Sequence, residues 1–566
     1  MSIKKYNDYH YERIDVNKLS PLFNEIISKF ESSKSVEEQS DLIREVDKVF
    51  SEYSTYQTIA HLNFARDTKS KETKAESEYY DKIDPSMSEF STRFAKVVVS
   101  SKYRDELVRE WGRQYFNLLE MELKTFDPKI KEMLIEESKL KNEYTTLLAS
   151  AKIPFKDETY NLTGLGPFHT DLDRDTRKSS YKARFIFFEE NSEKLDDLYD
   201  QLVKLRHRMA LELGYKNYIP LGYLKMSRSD YDAKAVAGYR EQIVKHVVPL
   251  AGKLYQQRKD ILNLEKLYFY DGINFPEGNP KPEGTPDELV AAAQKMYHEL
   301  SSETGEFFDR MVNEKLLDLV NRKGKAGGGF CTSFPDYERP YIFANFNGTD
   351  HDVTVLTHEA GHAFQCYSSR KQQLVTYLWP TMESAEIHSM SMEFITWPWM
   401  ERFFGDQAEK FRYMHMVNAV LFLPYGACVD HFQHWVYSNP DATPAERKER
   451  WSDLEKLYLP HRDYDDMSFP KSGGVWQGQL HIYQCPFYYI DYTLAQVCAM
   501  QFWIKFDQDH DAAWKDYYRL CKAGGSRPFS ELVELAGLTS PFEEGTLKNV
   551  VGTIKNWFDG INVSNL

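Results

Sequence analysis

The chain has 566 residues, of which 42% are hydrophobic and 28% are charged, a composition typical of a folded globular protein with a large core. Its 71 Lys and Arg residues against 86 Asp and Glu residues give a formal net charge of −15, which disfavours binding to phosphate backbones and to anionic lipid. We therefore expect neither a nucleic-acid partner nor a membrane partner.

The sequence carries no sign of export or membrane insertion. Its first residues, MSIKKYNDYHYERIDV, lack the apolar segment of a signal peptide. The longest nearly uncharged apolar stretch, Val417 to Val429, contains Pro424 and is well short of the roughly 20 residues that cross a bilayer. Six cysteines are scattered without CxxC pairs, a pattern typical of reduced thiols. We expect a cytoplasmic protein.

Helical periodicity dominates the first half of the chain. Ser20 and Pro21 predict the start of an amphipathic helix, whose apolar face is formed by Leu22, Phe23, Ile26, Ile27 and Phe30. A second such face, which Gly214 terminates, is formed by Leu195, Leu198, Leu202, Leu205 and Met209. We expect an N-terminal helical region at residues 1–190 and a catalytic region at residues 191–566, with interleaved lobes.

Two breaks interrupt the helical pattern. Glycine and proline crowd together from Asp271 to Pro286, which predicts a loop, and Thr285 to Glu288 forms a capping box that begins a new helix. A glycine run at 327–329 then leads into FCTSF, YIFANF and the turn pair Asn347-Gly348. This order is typical of a β-hairpin, so we predict a small sheet there.

A metal-binding motif follows that sheet. His358, Glu359 and His362 form H-E-x-x-H within a helical pattern. Four residues advance a helix by about 400°, so the two imidazoles share one face about 6 Å apart, within reach of one tetrahedral zinc ion. The neighbouring carboxylate of Glu359 can accept the proton of a water that the zinc activates and pass it to a leaving amine.

Three glutamates on the next predicted helix are candidates for completing the site, because catalytic zinc usually has three protein ligands and an open position. Glu383, Glu386 and Glu393 share one helical face within 31 residues of His362. A solvated acidic face is the alternative interpretation of this pattern. Spacing alone does not separate Glu383 from Glu386 as the third ligand; we favour Glu386, with Glu383 and Glu393 holding the second ring nitrogens of the histidines.

A tyrosine-rich segment lies well downstream, after His481. Pro486 is expected to open a helix that places Tyr488 and Tyr492 one turn apart, with Tyr489 beside them. A phenol or imidazole facing the zinc could donate a hydrogen bond to the oxyanion formed during peptide hydrolysis. In a chain with 37 tyrosines, aromatic core packing is the competing interpretation.

Several segments together resemble the oligoendopeptidase F and Pz-peptidase-like members of the thimet oligopeptidase family of zinc metallopeptidases. The three central segments are THEAGHAF at 357–364, AEIHSMSMEF at 385–394 and HIYQCPFYYIDYTLAQ at 481–496, with YIFANFNGT before the first. Residues 198–228 and 524–538 extend the resemblance over the whole chain. The resemblance implies a mainly helical, two-lobed body around a deep substrate channel, with a small β-sheet beside the zinc-binding helix.

The resemblance also implies an activity and its residues. It implies an oligopeptidase that cleaves short unfolded peptides with one Zn²⁺ per chain, bound by His358, His362 and Glu386, and with Glu359 as general base. His481 and the tyrosines would lie near the scissile carbonyl, and the shorter spacing in this chain leaves the choice among Tyr488, Tyr489 and Tyr492 open.

The resemblance also implies which residues contact the substrate. The strand beside the metal-binding helix would pair with the extended substrate through Ala344, Asn345, Phe346 and Asn347, and Gly328 would belong to a mobile flap. A plain surface loop is the alternative for that glycine run.

Two other functions fit parts of the sequence. A zinc carboxypeptidase of helical build would also carry H-E-x-x-H, and a peptide with a blocked C-terminus separates it from an endopeptidase. A non-catalytic peptide-binding scaffold would have no use for Glu359. The sequence favours the endopeptidase, as a monomer or small homo-oligomer.

Overall fold

The protein is described by a computed structural model covering residues 4–563 and 566. These residues form a mainly α-helical fold with two small sheets, which confirms the predicted fold class. Within the described part of the chain, no helix is both long and apolar enough to cross a membrane. All six cysteines are unpaired.

The first helices pack around an apolar core of their own. They are α1 (Val16–Ser32), α2 (Val36–Arg66), α3 (Lys71–Val99), α4 (Arg104–Trp111) and α5 (Arg113–Thr125). The next helix, α6 (Lys131–Ala149), places Leu140 and Tyr144 in the main apolar core instead. Ser35 and Ser70 cap the starts of α2 and α3 by accepting backbone hydrogen bonds. Tyr377, from much later in the chain, joins this core and donates a hydrogen bond to the carbonyl of Trp111, which ties it to the rest of the protein.

The middle of the chain continues with helices that begin the main apolar core. A short hairpin, β1 (Ile153–Phe155) with β2 (Glu158–Tyr160), comes first. The helices are α7 (Gly166–His169), α8 (Arg174–Glu190), α9 (Ser192–Glu212), α10 (Tyr218–Lys225), α11 (Ala233–Gln242), α12 (Val248–Ile261), α13 (Pro286–Leu300) and α14 (Ser302–Asn313). The capping box of Thr285 with Glu288 is formed at the start of α13, as predicted.

A three-stranded sheet precedes the helix that carries the H-E-x-x-H motif. Its strands are β3 (Leu317–Val320), β4 (Phe330–Phe334) and β5 (Arg339–Phe346). The order is β3-β5-β4, with β5 parallel to β3 and antiparallel to β4. The prediction of a small sheet is therefore confirmed, but the hairpin turn lies at Pro335–Tyr337, and Asn347-Gly348 leads from β5 into a helix instead.

The remaining chain is helical and forms the centre of the main core. The helices are α15 (Asp350–Ser369), α16 (Met382–Ile395), α17 (Glu401–Phe404), α18 (Ala408–Ser438), α19 (Pro444–Tyr458), α20 (Ser468–Lys471), α21 (Leu480–Gln484), α22 (Tyr489–Gln508), α23 (His510–Ala523), α24 (Phe529–Leu535) and α25 (Thr546–Asp559). Helix α16 packs against both α15 and α22. This arrangement brings the three predicted site segments together.

Two predicted helix starts are wrong by a few residues. Helix α1 begins at Val16, because Asp15 accepts the hydrogen bond of the Asn17 N–H and caps the helix earlier, so Pro21 lies inside the helix on its exposed side. Helix α22 begins at Tyr489 rather than at Pro486, because Phe487 has a left-handed backbone with φ of 68° that no helix continues. The predicted apolar face of α9 is confirmed, with all five residues buried.

Candidate metal centre and active site

The close crossing of α15 and α16 builds the centre of the site. Gly361 lies between the two histidines of the H-E-x-x-H motif, and a Cβ at this position would come within 2.6 Å of the carbonyl oxygen of His388 on α16. Only glycine therefore allows this approach. Because the backbones meet here, side chains of both helices can reach one point.

Three of the predicted ligands converge at that point. The ligand atoms of His358, His362 and Glu386 all lie within 4.8 Å of one another. Nε2 of each histidine lies 3.4 Å from Oε2 of Glu386. Ligand atoms about 2.0–2.1 Å from a tetrahedral ion are about 3.3 Å apart, so this donor set fits one zinc ion. Among the clusters of His, Cys, Asp and Glu in the described residues, this is the one with metal-binding geometry.

Glu393 fixes the orientation of one ligand. Its Oε1 accepts a hydrogen bond from Nδ1 of His358 at 2.7 Å, which leaves the Nε2 lone pair of that ring facing the cluster. Its Oε2 lies 2.6 Å from Nε2 of His415 on α18, and Nδ1 of His415 is 3.2 Å from the indole nitrogen of Trp397. His415 did not emerge from the sequence, because a single histidine on an apolar helix carries no signal of its own.

The carboxylate of Glu359 is buried beside the ligand cluster. It is only 7% exposed, and its Oε2 has no hydrogen-bond partner among the described residues. Burial raises the pKa of this carboxyl, which makes it a stronger proton acceptor than an exposed glutamate. A Cβ on Gly329 would stand 3.6 Å from Oε1 of Glu359, so the end of the glycine run lies directly beside it.

Glu383 lies outside the ligand cluster. It is fully buried at the start of α16, and the charged groups that face it are Asp491 of α22 and Arg228. Burial and the nearby Asp491 raise the pKa of the Glu383 carboxyl to about 8. Among the described residues, no hydrogen bond joins it to His358 or His362, so the geometry favours Glu386 over Glu383 as a ligand.

The tyrosine segment reaches the cluster from α22. The hydroxyl of Tyr488 donates a hydrogen bond to Oε1 of Glu386 at 3.2 Å. The rings of Tyr488 and Tyr492 are 4.8 Å apart, and the ring of His481 lies 5.0 to 5.8 Å from those of Tyr488, Tyr489 and Tyr492. The structure thus brings all four predicted residues together beside the metal centre.

The protonation of His481 follows from its neighbours. Oε1 of Gln479 accepts a hydrogen bond from the hydroxyl of Tyr425 at 2.8 Å, so the Gln479 amide group donates to Nδ1 of His481 at 2.9 Å. Burial lowers the pKa of His481 and favours its neutral form. A neutral imidazole that accepts at Nδ1 carries its proton on Nε2, so His481 offers an N–H donor to the site.

The strand predicted to pair with the substrate lies in the centre of the sheet and not at its edge. Ala344, Asn345 and Phe346 lie in β5, the central strand of the sheet. The carbonyl of Ala344 accepts a hydrogen bond from the buried amino group of Lys325, and the side-chain amide of Asn345 donates to the carbonyls of Ala326 and Gly328. The edge strand on this side is β4, Phe330–Phe334.

The glycine run is attached to the N-terminal helices. The carbonyl of Gly324 accepts hydrogen bonds from Thr68, and the N–H of Ala326 donates to the carbonyl of Ala65 on α2. Asn347 anchors the other end of β5, because its N–H and that of Gly348 donate to Asp352. The loop itself is held on two sides, by α2 through the N–H of Ala326 and by β5 through the side-chain amide of Asn345.

Two cavities differ in how they lie relative to the site. A cavity of about 440 Å³ lies beside the ligand cluster and is lined by residues that include Met390, Glu393, His415, His481, Tyr489 and Tyr492. A larger one, of about 2110 Å³, lies among α2, α3, α5 and α6, and none of the site residues named above lines it. The smaller cavity is therefore the one of the two that adjoins the candidate site.

Comparison with known proteins identifies the family. The profile of Peptidase family M3 matches residues 168–551, and that of the Peptidase M3 N-terminal domain matches residues 6–126. The chain therefore belongs to peptidase family M3 and is a metallopeptidase. This confirms the resemblance drawn from the sequence.

Individual relatives support the assignment. The chain is 23% identical over 421 residues to an oligoendopeptidase F homolog of Borreliella burgdorferi, covering 71% of this chain and 67% of that protein. It is 49% identical, with a TM-score of 0.95 and full coverage of both chains, to a crystal structure assigned to oligoendopeptidase F. A structure of Pz peptidase A with an inhibitor is 48% identical, with a TM-score of 0.94, and covers 99% of this chain and 100% of its own.

Proposed function

We propose that this chain is a zinc-dependent endopeptidase that hydrolyses short peptides. The observation that carries the proposal is the convergence of His358, His362 and Glu386, whose ligand atoms lie within 4.8 Å of one another beside the buried carboxylate of Glu359. Relatives named oligoendopeptidase F and Pz peptidase support a peptide substrate.

In this mechanism, His358, His362 and Glu386 would hold one Zn²⁺, which when bound would supply Lewis-acid chemistry toward water and the carbonyl group. Glu359 accepts the proton of the attacking water and delivers it to the nitrogen of the leaving amine. Its low exposure supports this role, because the carboxylic acid that forms when Glu359 takes up the proton is shielded from bulk water and passes the proton to a substrate group.

The oxyanion is stabilised by donors from the tyrosine segment. Tyr488, Tyr489 and Tyr492 supply phenolic O–H groups, and His481 supplies its Nε2–H. Burial raises the pKa of each of the three phenols, so each keeps its proton and remains a donor. Tyr488 is the first choice among them, since its hydroxyl already contacts Glu386.

The substrates are short, unfolded peptides. A cavity of about 440 Å³ beside Glu393 and His481 accommodates an extended segment but no folded domain. Backbone pairing at the edge of β4, rather than along β5, grips any sequence, so we expect broad specificity. Gly328 and its neighbours lie over the substrate in this arrangement.

We also propose how the chain is divided into regions. Residues 1–190 form an N-terminal helical region and residues 191–566 carry the catalytic machinery. We propose that the protein acts in the cytoplasm as a monomer or small homo-oligomer, on peptides and not on nucleic acid or membranes.

The test is the variant Glu359→Gln assayed with an internally quenched peptide blocked at both ends. We expect stoichiometric zinc by elemental analysis and a loss of hydrolysis by several orders of magnitude, on the order of 10³-fold or more, because the base is removed and no ligand is. Cleavage of the blocked peptide by the parent excludes a carboxypeptidase. Near-parental activity of Glu359→Gln would overturn the mechanism.

A further inference from the structure

A strained residue stands immediately before the tyrosines of the active site. Phe487 has a φ of 68°, in the left-handed region that residues other than glycine seldom adopt. It is fully buried, and the next residue is Tyr488, whose hydroxyl contacts Glu386. A strained conformation persists only where the surroundings determine it several times over.

Both backbone groups of Phe487 are held by buried side chains. Its N–H donates to Oε1 of Gln433 on α18 at 3.2 Å. Its carbonyl accepts a hydrogen bond of 2.5 Å from an Nη2 hydrogen of Arg228, and the same nitrogen also donates to Oδ1 of Asp491 at 2.5 Å. The side chains of Arg228 and Asp491 have no solvent exposure.

The ring of Phe487 is fixed as tightly as its backbone. It packs against Tyr223, His434 and Tyr437, with ring centroids 4.8 to 5.5 Å apart. A Cβ at position 222 would come within 2.6 Å of this ring, so Gly222 leaves the space that the ring occupies. Phe487 is thus held by its N–H, its carbonyl and its side chain at once.

Arg228 connects the backbone before Tyr488 to the first turn of α22. It bonds the carbonyl before Tyr488 and the carboxylate of Asp491, which lies in the first turn of α22 between Tyr489 and Tyr492. A rotation of the Phe487–Tyr488 peptide would break the first bond, and a shift of the first turn of α22 would break the second. Either movement would displace the hydroxyl of Tyr488 from Glu386.

We propose that Arg228 is a positioning residue for peptide hydrolysis. By holding the Phe487 carbonyl and the Asp491 carboxylate together, it sets the direction in which the Tyr488 side chain leaves the turn and keeps its hydroxyl at the metal centre. Arg228 touches neither the ligand cluster nor the cavity beside it. The inference rests on the proposed function, in which the tyrosines donate to the oxyanion.

The test compares Arg228→Lys with Arg177→Lys. Arg177 is a matched control, because its guanidinium is also buried, bonds a buried carboxylate, Asp271, and donates to the backbone carbonyl of Tyr270, but lies outside the site. For Arg228→Lys we expect kcat to fall about 100-fold with an unchanged zinc content and a KM within about twofold of the parent value. Arg177→Lys should lower the thermal midpoint and leave kcat unchanged.

A spectroscopic measurement separates positioning from general loss of stability. With 3-fluorotyrosine placed at position 488 of the zinc-free protein, the ¹⁹F resonance reports the surroundings of the Tyr488 ring without any turnover. We expect Arg228→Lys to shift or broaden this resonance, and Arg177→Lys to leave it unchanged. Gln433→Leu removes the acceptor of the Phe487 N–H and should act like Arg228→Lys, which keeps the inference testable should the arginine variant misfold.

The outcomes distinguish this inference from the proposed function. If the parent hydrolyses the peptide while Arg228→Lys and Gln433→Leu keep parental kcat and an unshifted resonance, Arg228 has no positioning role. An equal fall of kcat in Arg177→Lys would likewise overturn the inference. If the parent hydrolyses no peptide, the proposed function fails, and the ¹⁹F comparison still decides whether Arg228 positions Tyr488.

Discussion

Nδ1 of His358 lies 2.7 Å from Oε1 of Glu393, across the crossing of α15 and α16. Among the described residues, this is the hydrogen bond between the H-E-x-x-H helix and the second acidic helix that orients a candidate ligand. The other carboxylate oxygen, 2.6 Å from Nε2 of His415, connects the same group to α18. Three helices therefore determine the orientation of one imidazole.

We expect Glu393→Gln to weaken zinc binding by about 10- to 100-fold, because the charge that orients His358 and increases its basicity is lost. Competition with a chromophoric chelator measures this affinity. Glu455→Gln is the control, since Glu455 is a buried carboxylate that pairs with Arg462 and Tyr464 away from the site. Equal affinity in the parent and in Glu393→Gln would contradict the assigned role.

Tyr488→Phe should lower kcat by about 100- to 1000-fold, the usual cost of removing one oxyanion donor, with retained zinc. Tyr492→Phe should cost less, because the hydroxyl bonded to Glu386 belongs to Tyr488. Steady-state kinetics on one fluorogenic peptide provides the comparison. Tyr297→Phe, which removes a phenolic hydroxyl from the buried core, is the control. A larger fall of kcat in Tyr492→Phe than in Tyr488→Phe would assign the oxyanion donor to Tyr492.

Gly361→Ala should destabilise the protein by about 1–3 kcal/mol, since the added methyl group meets the backbone of α16 at His388 and Ser389. Its zinc affinity should fall as well, because the two ligand helices are forced apart. Gly238→Ala is the matched control: this glycine lies within α11 with open space around it, so alanine should stabilise the helix by about 0.5–1 kcal/mol. Thermal denaturation of both apoproteins makes the comparison, and a Gly361→Ala variant as stable as the parent would refute the steric argument.

Asp47 should make stability depend on pH. Burial raises the pKa of this carboxyl to about 6, and its Oδ1 accepts the N–H of Val375 at 2.9 Å. Between the lower pKa of the unfolded chain and about 6, the folded state binds more protons, so this group's contribution to stability falls as pH rises through that window.

Asp47→Asn keeps the acceptor oxygen and removes the titration. We expect the variant to gain about 1–3 kcal/mol over the parent, with the gain growing from pH 5 to pH 7 and then constant. Thermal melts across that range measure it. Asp41→Asn, on the same helix with a side chain 77% exposed, should show no such trend. A gain that shrinks with rising pH would reverse the assigned sign.

The parts of the site that could be predicted are local in sequence. His358, Glu359 and His362 follow from one helical turn. The face of the next helix leaves Glu383 and Glu386 as candidates for the third ligand, and the family resemblance favours Glu386. The contacts that complete the site are not local: His415 is 22 residues from Glu393, and Arg228 is 263 residues from Asp491. No spacing rule connects such pairs, because tertiary packing alone brings them together.

For the fold as well, the features that could be predicted depend on residues close together in the sequence. Helical periodicity gave the apolar face of α9 and the capping box of α13, since both depend on neighbouring residues. Strand order did not follow from the sequence. The central place of β5 depends on β3, which pairs with it only after the chain has returned through the loop and β4.

The hydrogen bonds that join Thr68 and Ala65 to the glycine-rich loop have a consequence for engineering this protein. A single stretch of backbone, 324–329, is bound to α2 at one end and lies beside Glu359 at the other. A truncated version that begins after α6 would therefore lose the groups that hold this loop in place. The region with the candidate metal ligands therefore cannot be exchanged on its own. Chimaeras that join it to a foreign N-terminal region must also include the end of α2.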